Sequence, residues 1–539
     1  MTSLGSLVGR RAALEYARRP LNLVLLVAVP VVLVFVWGGT LADFSRLVGG
    51  TAGRVQVEAA TAGWAAAALA GLGGFFQVSG ARAADRRLAG AARRTPPVVA
   101  GRLGASVALA TVASAGGLVA LAARAGINDP LRAVAGTLLV ALIYVALGVL
   151  VGTVVRSEMN GALLVTLVWI VDVFLGPGIS GGSSVVTRLF PLHFPTLLLT
   201  NQATGHAGAL GDLGWSLAWA AGLGVAAWRR MVGVTSSLAP PGPGRSTPAR
   251  STAIPAASVP RTGATSPPAA VPHRRATGTH RPSAARAPRP LPAVLRAGMR
   301  DYRRNRVLWA LLVGVPAIFI GLAIIVTVDT PGPVDLVEGA DRFTAMLSQR
   351  RMHAATMVPV TAAFLAGIAG MFVVTGTGAG DRRLVLAGFR PWHVLVGRLG
   401  VVAAATLVTT TAAVAFSAAW YPPRQWAAFA GANLLIAATY AMMGVFVGPL
   451  TGRLGGLYLI LLLAIIDVGL GQTVMFPSGP PAWGAFLPAR GASRVLIDGA
   501  FTARFDEIRS LLLGFGWLAA LAAAAAAVFH RRTRTAVRA

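Results

Sequence analysis

Acid and arginine side chains recur in this chain at one fixed spacing. Asp85-Arg86-Arg87-Leu88 is followed, after twelve residues, by Gly101-Arg102-Leu103-Gly104. The arrangement returns as Asp381-Arg382-Arg383-Leu384 and Gly397-Arg398-Leu399-Gly400. Guanidinium forks bind carboxylates and phosphates and dock charged surfaces. The chain has no lysine, so all 48 strong bases are arginine. The phosphate-binding loop G-x-x-x-x-G-K-[ST] is thereby excluded, and any ATP hydrolysis belongs to another chain. There is no cysteine either, which removes disulfides, thiolate chemistry and cysteine metal sites. His193, His206, His353 and His393 show no metal-ligand spacing, and the hydroxyls of Thr409-Thr410-Thr411 suit bonds to their own helix. These residues predict no enzyme, no cofactor and no metal site.

Two further acids stand inside apolar runs, in Ile170-Val171-Asp172-Val173 and Ile465-Ile466-Asp467-Val468. A charge at the centre of a span costs about 2.5–3.5 kcal/mol, so such a residue faces protein or water. Four roles are open to Asp172 and Asp467: lying close enough to the interface to be hydrated, capping the broken stretch that follows each, lining a pathway together with Tyr144 and Tyr440, or relaying protons. Tyr144/Gly148/Gly152 matches Tyr440/Gly444/Gly448 at the offset of the basic segments. The glycines put small residues on one helix face, which suits close helix packing.

The elements that carry these residues are long apolar runs. Of 539 residues, 55% are hydrophobic and 12% charged, with a mean hydropathy of +0.68. Soluble domains carry about 25% charged residues. Runs near 21–37, 57–79, 103–122, 133–154, 161–176 and 209–228 are followed by runs near 307–327, 354–376, 399–420, 426–448, 455–473 and 510–529. That is enough for about twelve spans of about 20 residues. Glu15-Tyr16 and Pro30 match Asp301-Tyr302 and Pro316 at one constant offset. The start of the chain is therefore read as an amphipathic segment and first span, not a cleaved signal. The fold expected is all-α and integral to the membrane: two parallel six-helix repeats, 1–232 and 294–539. They are joined by a linker, 233–293, rich in Pro, Ser, Thr, Gly and Arg and without acids, which is expected to be disordered.

Net charge is +30. The arginines gather at the ends of apolar runs and in the linker, which favours topology and lipid headgroups over nucleic acid. Arginine clusters before span one, between spans two and three, after span four and after span six all fall on one side. That side, with both termini, is expected to be cytoplasmic. The loop 329–341 is acidic and falls on the other side.

A loop that only fixes topology needs arginines, but not matched spacing. In the second copy Phe389, Trp392 and Leu395 interleave with Arg390 and His393. That suits short surface helices presenting a polar face to a partner. The docking set expected is Asp381, Arg382, Arg383, Phe389, Arg390, Trp392 and Arg398, with Asp85, Arg86, Arg87, Arg94 and Arg102 in the first copy. There Thr95-Pro96-Pro97 replaces the aromatics, and two prolines are expected to break it.

The basic segment with Asp/Glu-Tyr before span one, the arm between spans two and three, and a Pro-containing stretch between spans five and six resemble the permease subunits of type-2 ABC exporters. The chain is similar to their fused tandem forms, such as the drug and antibiotic export permeases of tetronasin resistance. The resemblance implies that 384–398 and 88–102 are coupling segments for a separate ABC ATPase subunit, in two copies. It implies export of a hydrophobic or amphipathic small molecule across the cytoplasmic membrane. It also implies that 177–208 and 474–508 dip back toward the membrane as lids. A proton-coupled twelve-span transporter using Asp172 and Asp467 is the alternative. Its G-x-x-x-D-R-x-G-R-R loop is matched only at Asp381-Arg382, with Leu384 where glycine is needed.

Overall fold

A computed structural model describes residues 4–18, 20–50, 52–92, 94–179, 185–200, 208–236, 290–338, 341–475 and 479–538. The first half builds α1 (Leu4–Ala17), α2 (Pro20–Val32), α3 (Gly38–Leu47), α4 (Arg54–Ala92), α5 (Pro96–Ala125), α6 (Pro130–Val154), α7 (Glu158–Leu175), α8 (His193–Thr200) and α9 (Gly208–Ser236). The second builds α10 (Pro290–Arg304), α11 (Arg306–Val326), α12 (Gln349–Gly376), α13 (Gly378–Leu386), α14 (Pro391–Ala418), α15 (Trp426–Leu463), α16 (Arg490–Phe501) and α17 (Ile508–Arg538). Between α11 and α12 lie β1 (Pro331–Glu338) and β2 (Asp341–Ser348).

Among the described residues, ten helices are long and apolar enough to cross a membrane. This is the build of a helical membrane-embedded protein, since hydrocarbon requires every backbone group to be paired internally. One run falls short of the expected twelve, and two others are counted together. The runs 426–448 and 455–473 form two helices that meet at a kink at Gly452, whose φ of 76° only glycine adopts readily, and they stand among the ten as the single stretch Trp426–Gly471. The run 209–228 forms a helix, α9, but its glycines, tryptophans and Asp212 dilute its apolarity and it is not among the ten. The linker is also shorter than expected at both edges. α9 runs to Ser236 and α10 begins at Pro290, and the rest of it lies outside the described residues.

The acidic loop is a correction. Residues 331–348 pair as an antiparallel hairpin, in register from Pro331↔Ser348 to Glu338↔Asp341. Val334 and Leu336 are buried at alternate positions, the period of a half-covered strand. Asp335 and Glu338 made the segment look like a solvated loop.

The prolines of the basic segments start helices. Pro96 opens α5 and Pro391 opens α14, where a missing backbone N–H is no loss. Each basic segment is therefore an elbow between two long helices. In the first half α4 continues unbroken for 39 residues, into Asp85-Arg86-Arg87. In the second, α12 ends at Gly376 and α13 starts anew. Pro30 precedes a π-helical turn, Leu33–Trp37, and Arg124 donates to the carbonyl of Phe35 within that turn. Pro316 lies inside α11, which runs on to Val326.

Small residues set the helix spacing. A Cβ on Gly148 would collide with the carbonyl of Gly71 on α4, and one on Gly444 with the carbonyl of Gly367 on α12. The tightest helix pairs, α4 with α6 and α12 with α15, thus depend on the glycines flagged in the sequence. Between the halves, α7 packs on α11 and α2 on α15. One continuous apolar core includes residues of both halves.

Candidate functional site

Each elbow is closed by a buried ion pair. Arg102 Nη2 donates to Asp85 Oδ1 at 2.6 Å and Nε to Oδ2 at 3.1 Å, while Gln77 Oε1 takes a bond from Nη1 at 3.2 Å. In the second elbow, Arg398 Nε and Nη2 reach Asp381 Oδ1 at 3.0 and 2.8 Å, and Thr377 Oγ1 donates to Asp381 Oδ2 at 2.8 Å. Charges largely withdrawn from water need such multiple bonding to offset desolvation. The first aspartate and the last arginine of each expected docking set therefore bond to one another and not to a partner. Their fixed spacing is the length of the loop they close.

The other members of the set divide. Arg87, Arg94, Arg382, Arg383, Arg390 and Trp392 are exposed, and Arg86 is half-buried. The guanidinium groups of Arg86 and Arg87 bond back to the carbonyls of Arg82 and Ala83. Trp392 lies against His393, ring centroids 3.8 Å apart. Phe389 packs inward with Val394, Leu395 and Phe529. Sequence reasoning missed Arg82, whose Nη2 binds the carbonyls of Gly152 and Val155 and ties the end of α6 to α4. Its position three residues before Asp85, on the same helix face, was the available signal. Before each first span a phenol is buried, and burial pushes both Tyr16 and Tyr302 up. Tyr16 donates to the carbonyl of Asn22 at 3.3 Å.

Asp172 and Asp467 are tethers. Asp172 accepts from Tyr144 Oη at 2.9 Å and from the Leu192 N–H at 3.1 Å, immediately before α8. Asp467 accepts from Tyr440 Oη at 3.1 Å, from Gln472 Nε2 at 3.2 Å and from the Ala489 N–H at 2.9 Å, immediately before α16. Both carboxylates are fully buried. None of Asp172, Asp467, Tyr144 and Tyr440 lines either cavity described below. Each carboxylate bonds an orphan N–H at the start of a short helix, the capping role weighed for it.

Two cavities lie between the halves. One is an apolar chamber of about 130 Å³, lined by Trp37, Phe44, Trp169, Phe319, His353 and Met357 among others. That is room for one small ring. Two π-helical segments border it, Leu33–Trp37 and Ala464–Gly471, a geometry that clusters at functional sites. The other is a vestibule of about 1300 Å³ on the arginine-rich face, reached by Arg18, Gln77, Glu158, Asp381, Arg382 and Phe529 among others. The halves meet beside it. Glu158 pairs with Arg453, Asn160 Nδ2 donates to Asn305 Oδ1 at 2.9 Å, and Tyr458 Oη donates to the carbonyl of Leu69 at 3.0 Å. Phe76 and Phe372 stack with centroids 6.4 Å apart and planes 9° apart. These two stand at the offset that separates the two basic segments.

No protein-family model matches the chain, and a search of curated proteins gives no match. Among the described residues no group of histidines and acids has the arrangement of a metal site.

Proposed function

We propose that this chain is the membrane-spanning subunit of an ATP-driven exporter, with two parallel six-helix units in one polypeptide. The arginine-rich face is cytoplasmic and carries both termini. A separate ABC ATPase, in two copies, docks on the two elbows. Closure of that pair moves the units against each other, and a hydrophobic or amphipathic compound passes from the vestibule toward the chamber and out.

One observation carries the reading. Each half has an elbow closed by an inward Asp–Arg pair, with its remaining arginines outward, on the face where the vestibule lies. A loop that merely fixed topology would need the outward arginines but not the clasp that holds them in place. The lack of lysine supports an ATPase on another chain. The carboxylates on which proton coupling would rest are occupied in holding α8 and α16.

The test is reconstitution with the nucleotide-binding protein that co-purifies with the chain. Arg383→Ala with Arg390→Ala should abolish the increase in ATPase rate that the membrane chain gives its partner, while leaving the chain folded. An unchanged ATPase rate, or transport that persists with no ATPase present, would count against the proposal.

A further inference from the structure

The vestibule has a charge imbalance that none of the contacts above explains. Three acids line it, and each already has an arginine. Glu158 is held by Arg453, Asp381 by Arg398, and Glu15 lies 3.9 Å from Arg11. Arg102, also on the wall, belongs to Asp85. Arg18 and Arg382 line the same cavity, both exposed, and neither guanidinium has a partner among the described residues. Arg18 comes from the first half and Arg382 from the second, so the two unmatched cations face the vestibule from both sides of the seam.

The wall between them mixes polar and apolar surface, and Leu21, Phe76, Val374, Leu454 and Phe529 contribute to the apolar part. The volume, about 1300 Å³, suits a molecule of drug or lipid size.

We infer that the vestibule is a binding site for amphipathic anions: an apolar body with a carboxylate or phosphate held between Arg18 and Arg382. A guanidinium binds such oxyanions through two parallel bonds. The inference rests on the export reading for its purpose, and it narrows the cargo from any lipophile to an acidic one. A lipophilic cation meets two unneutralised arginines and no unpaired carboxylate. The anion has two sources, a soluble lipophilic acid or an anionic membrane lipid, and these share the recognition chemistry.

Binding is measured on the full-length chain in neutral detergent, with neither ATP nor partner. The fluorescent probe is dansylamino-undecanoic acid, compared with the amine and the alcohol on the same chain. The acid should bind at least about tenfold more tightly than the amine, the worth of one charge-assisted hydrogen bond. Arg18→Gln with Arg382→Gln should remove that preference while leaving the alcohol's binding unchanged, which also shows the variant folded. Arg229→Gln with Arg230→Gln, at the end of α9, should leave the preference intact. Displacement by decanoate supports a soluble acid as occupant, and displacement by phosphatidylglycerol supports a lipid. Displacement by neither, equal binding of acid and amine, or an undiminished preference in the Arg18/Arg382 variant overturns the inference. ATPase coupling is read separately. Acid binding without coupling would sink the exporter reading alone, and coupling without acid binding would sink this one alone.

Discussion

Glu158 and Arg453 form an ion pair across the two halves, at the offset that separates Asp172 from Asp467. Identical halves would set like charges against each other there; these set opposite ones. The pair is partly solvated, 22% exposed at Glu158 and 39% at Arg453. Glu158→Arg and Arg453→Glu should each cost about 1 kcal/mol, and the double exchange should recover most of it. Thermal unfolding of the three variants in detergent decides this. A double exchange that loses the sum of the two single losses would mean that the pair contributes nothing.

The elbow clasps are worth more. Asp85→Asn or Asp381→Asn leaves a buried guanidinium without its counter-charge, a loss of about 3–5 kcal/mol. Arg382→Ala, which is exposed, should stay within about 0.5 kcal/mol. Unfolding curves should separate the two classes of arginine-segment residue that the sequence presents as one.

Gly148→Ala and Gly444→Ala force apart helices that touch backbone to backbone, at a cost of about 1–3 kcal/mol each. Gly431→Ala in α15 meets nothing within 4 Å and should be neutral or stabilising by up to about 1 kcal/mol through helix propensity. The same unfolding measurement serves, and a tolerated Gly444→Ala would contradict the packing described.

Asp172→Leu strands the Tyr144 hydroxyl and the Leu192 N–H, so α8 should loosen while the spanning helices persist. The parent chain has no cysteine, which gives a labelling experiment no background. Leu198→Cys, buried on α8, should resist a water-soluble maleimide in the parent and react at least several-fold faster beside Asp172→Leu. Equal rates would deny the tether.

Asp498 on α16 is almost inaccessible, and burial holds its carboxyl above the ordinary range. Oδ1 accepts from Thr502, and the backbone N–H of Asp506 partly offsets the effect of burial. A carboxyl raised on folding binds protons more tightly in the folded chain, so its ionisation costs stability as pH rises above the unfolded value. Asp498→Asn should therefore raise the unfolding temperature at pH 7.5, and the gain should shrink as pH falls toward 4. A gain independent of pH would show that charge is not the cause.

The sequence shows apolar length well and side-chain direction poorly. Ten helices follow runs of apolar residues, because the membrane imposes length and composition directly. The glycines of 148 and 444 were readable because helix period puts them on one face. The pairing of Asp85 with Arg102 was not, since it depends on how α4 and α5 fold back on each other, and an acid beside two arginines looks like surface. Pro96-Pro97 looked like a break because a proline's effect depends on whether it falls in the first turn of a helix or later. The hairpin hid behind its acids, whereas the break at Gly452 falls between two runs that the sequence already separates. Asp172 and Asp467 were legible as unusual, but their partners lie beyond loops whose path the sequence does not give.

The unbroken length of α4 has a mechanical consequence. At 1.5 Å per residue its 39 residues extend roughly 58 Å, about twice the hydrocarbon thickness. On the export proposal, a push on its arginine-bearing end runs along a single unbroken helix. Its counterpart is jointed: α12 stops, Thr377 intervenes and α13 sets off separately. On the same proposal, a push on the second elbow must cross the joint at Thr377, so equal forces on the two elbows are expected to give unequal strokes.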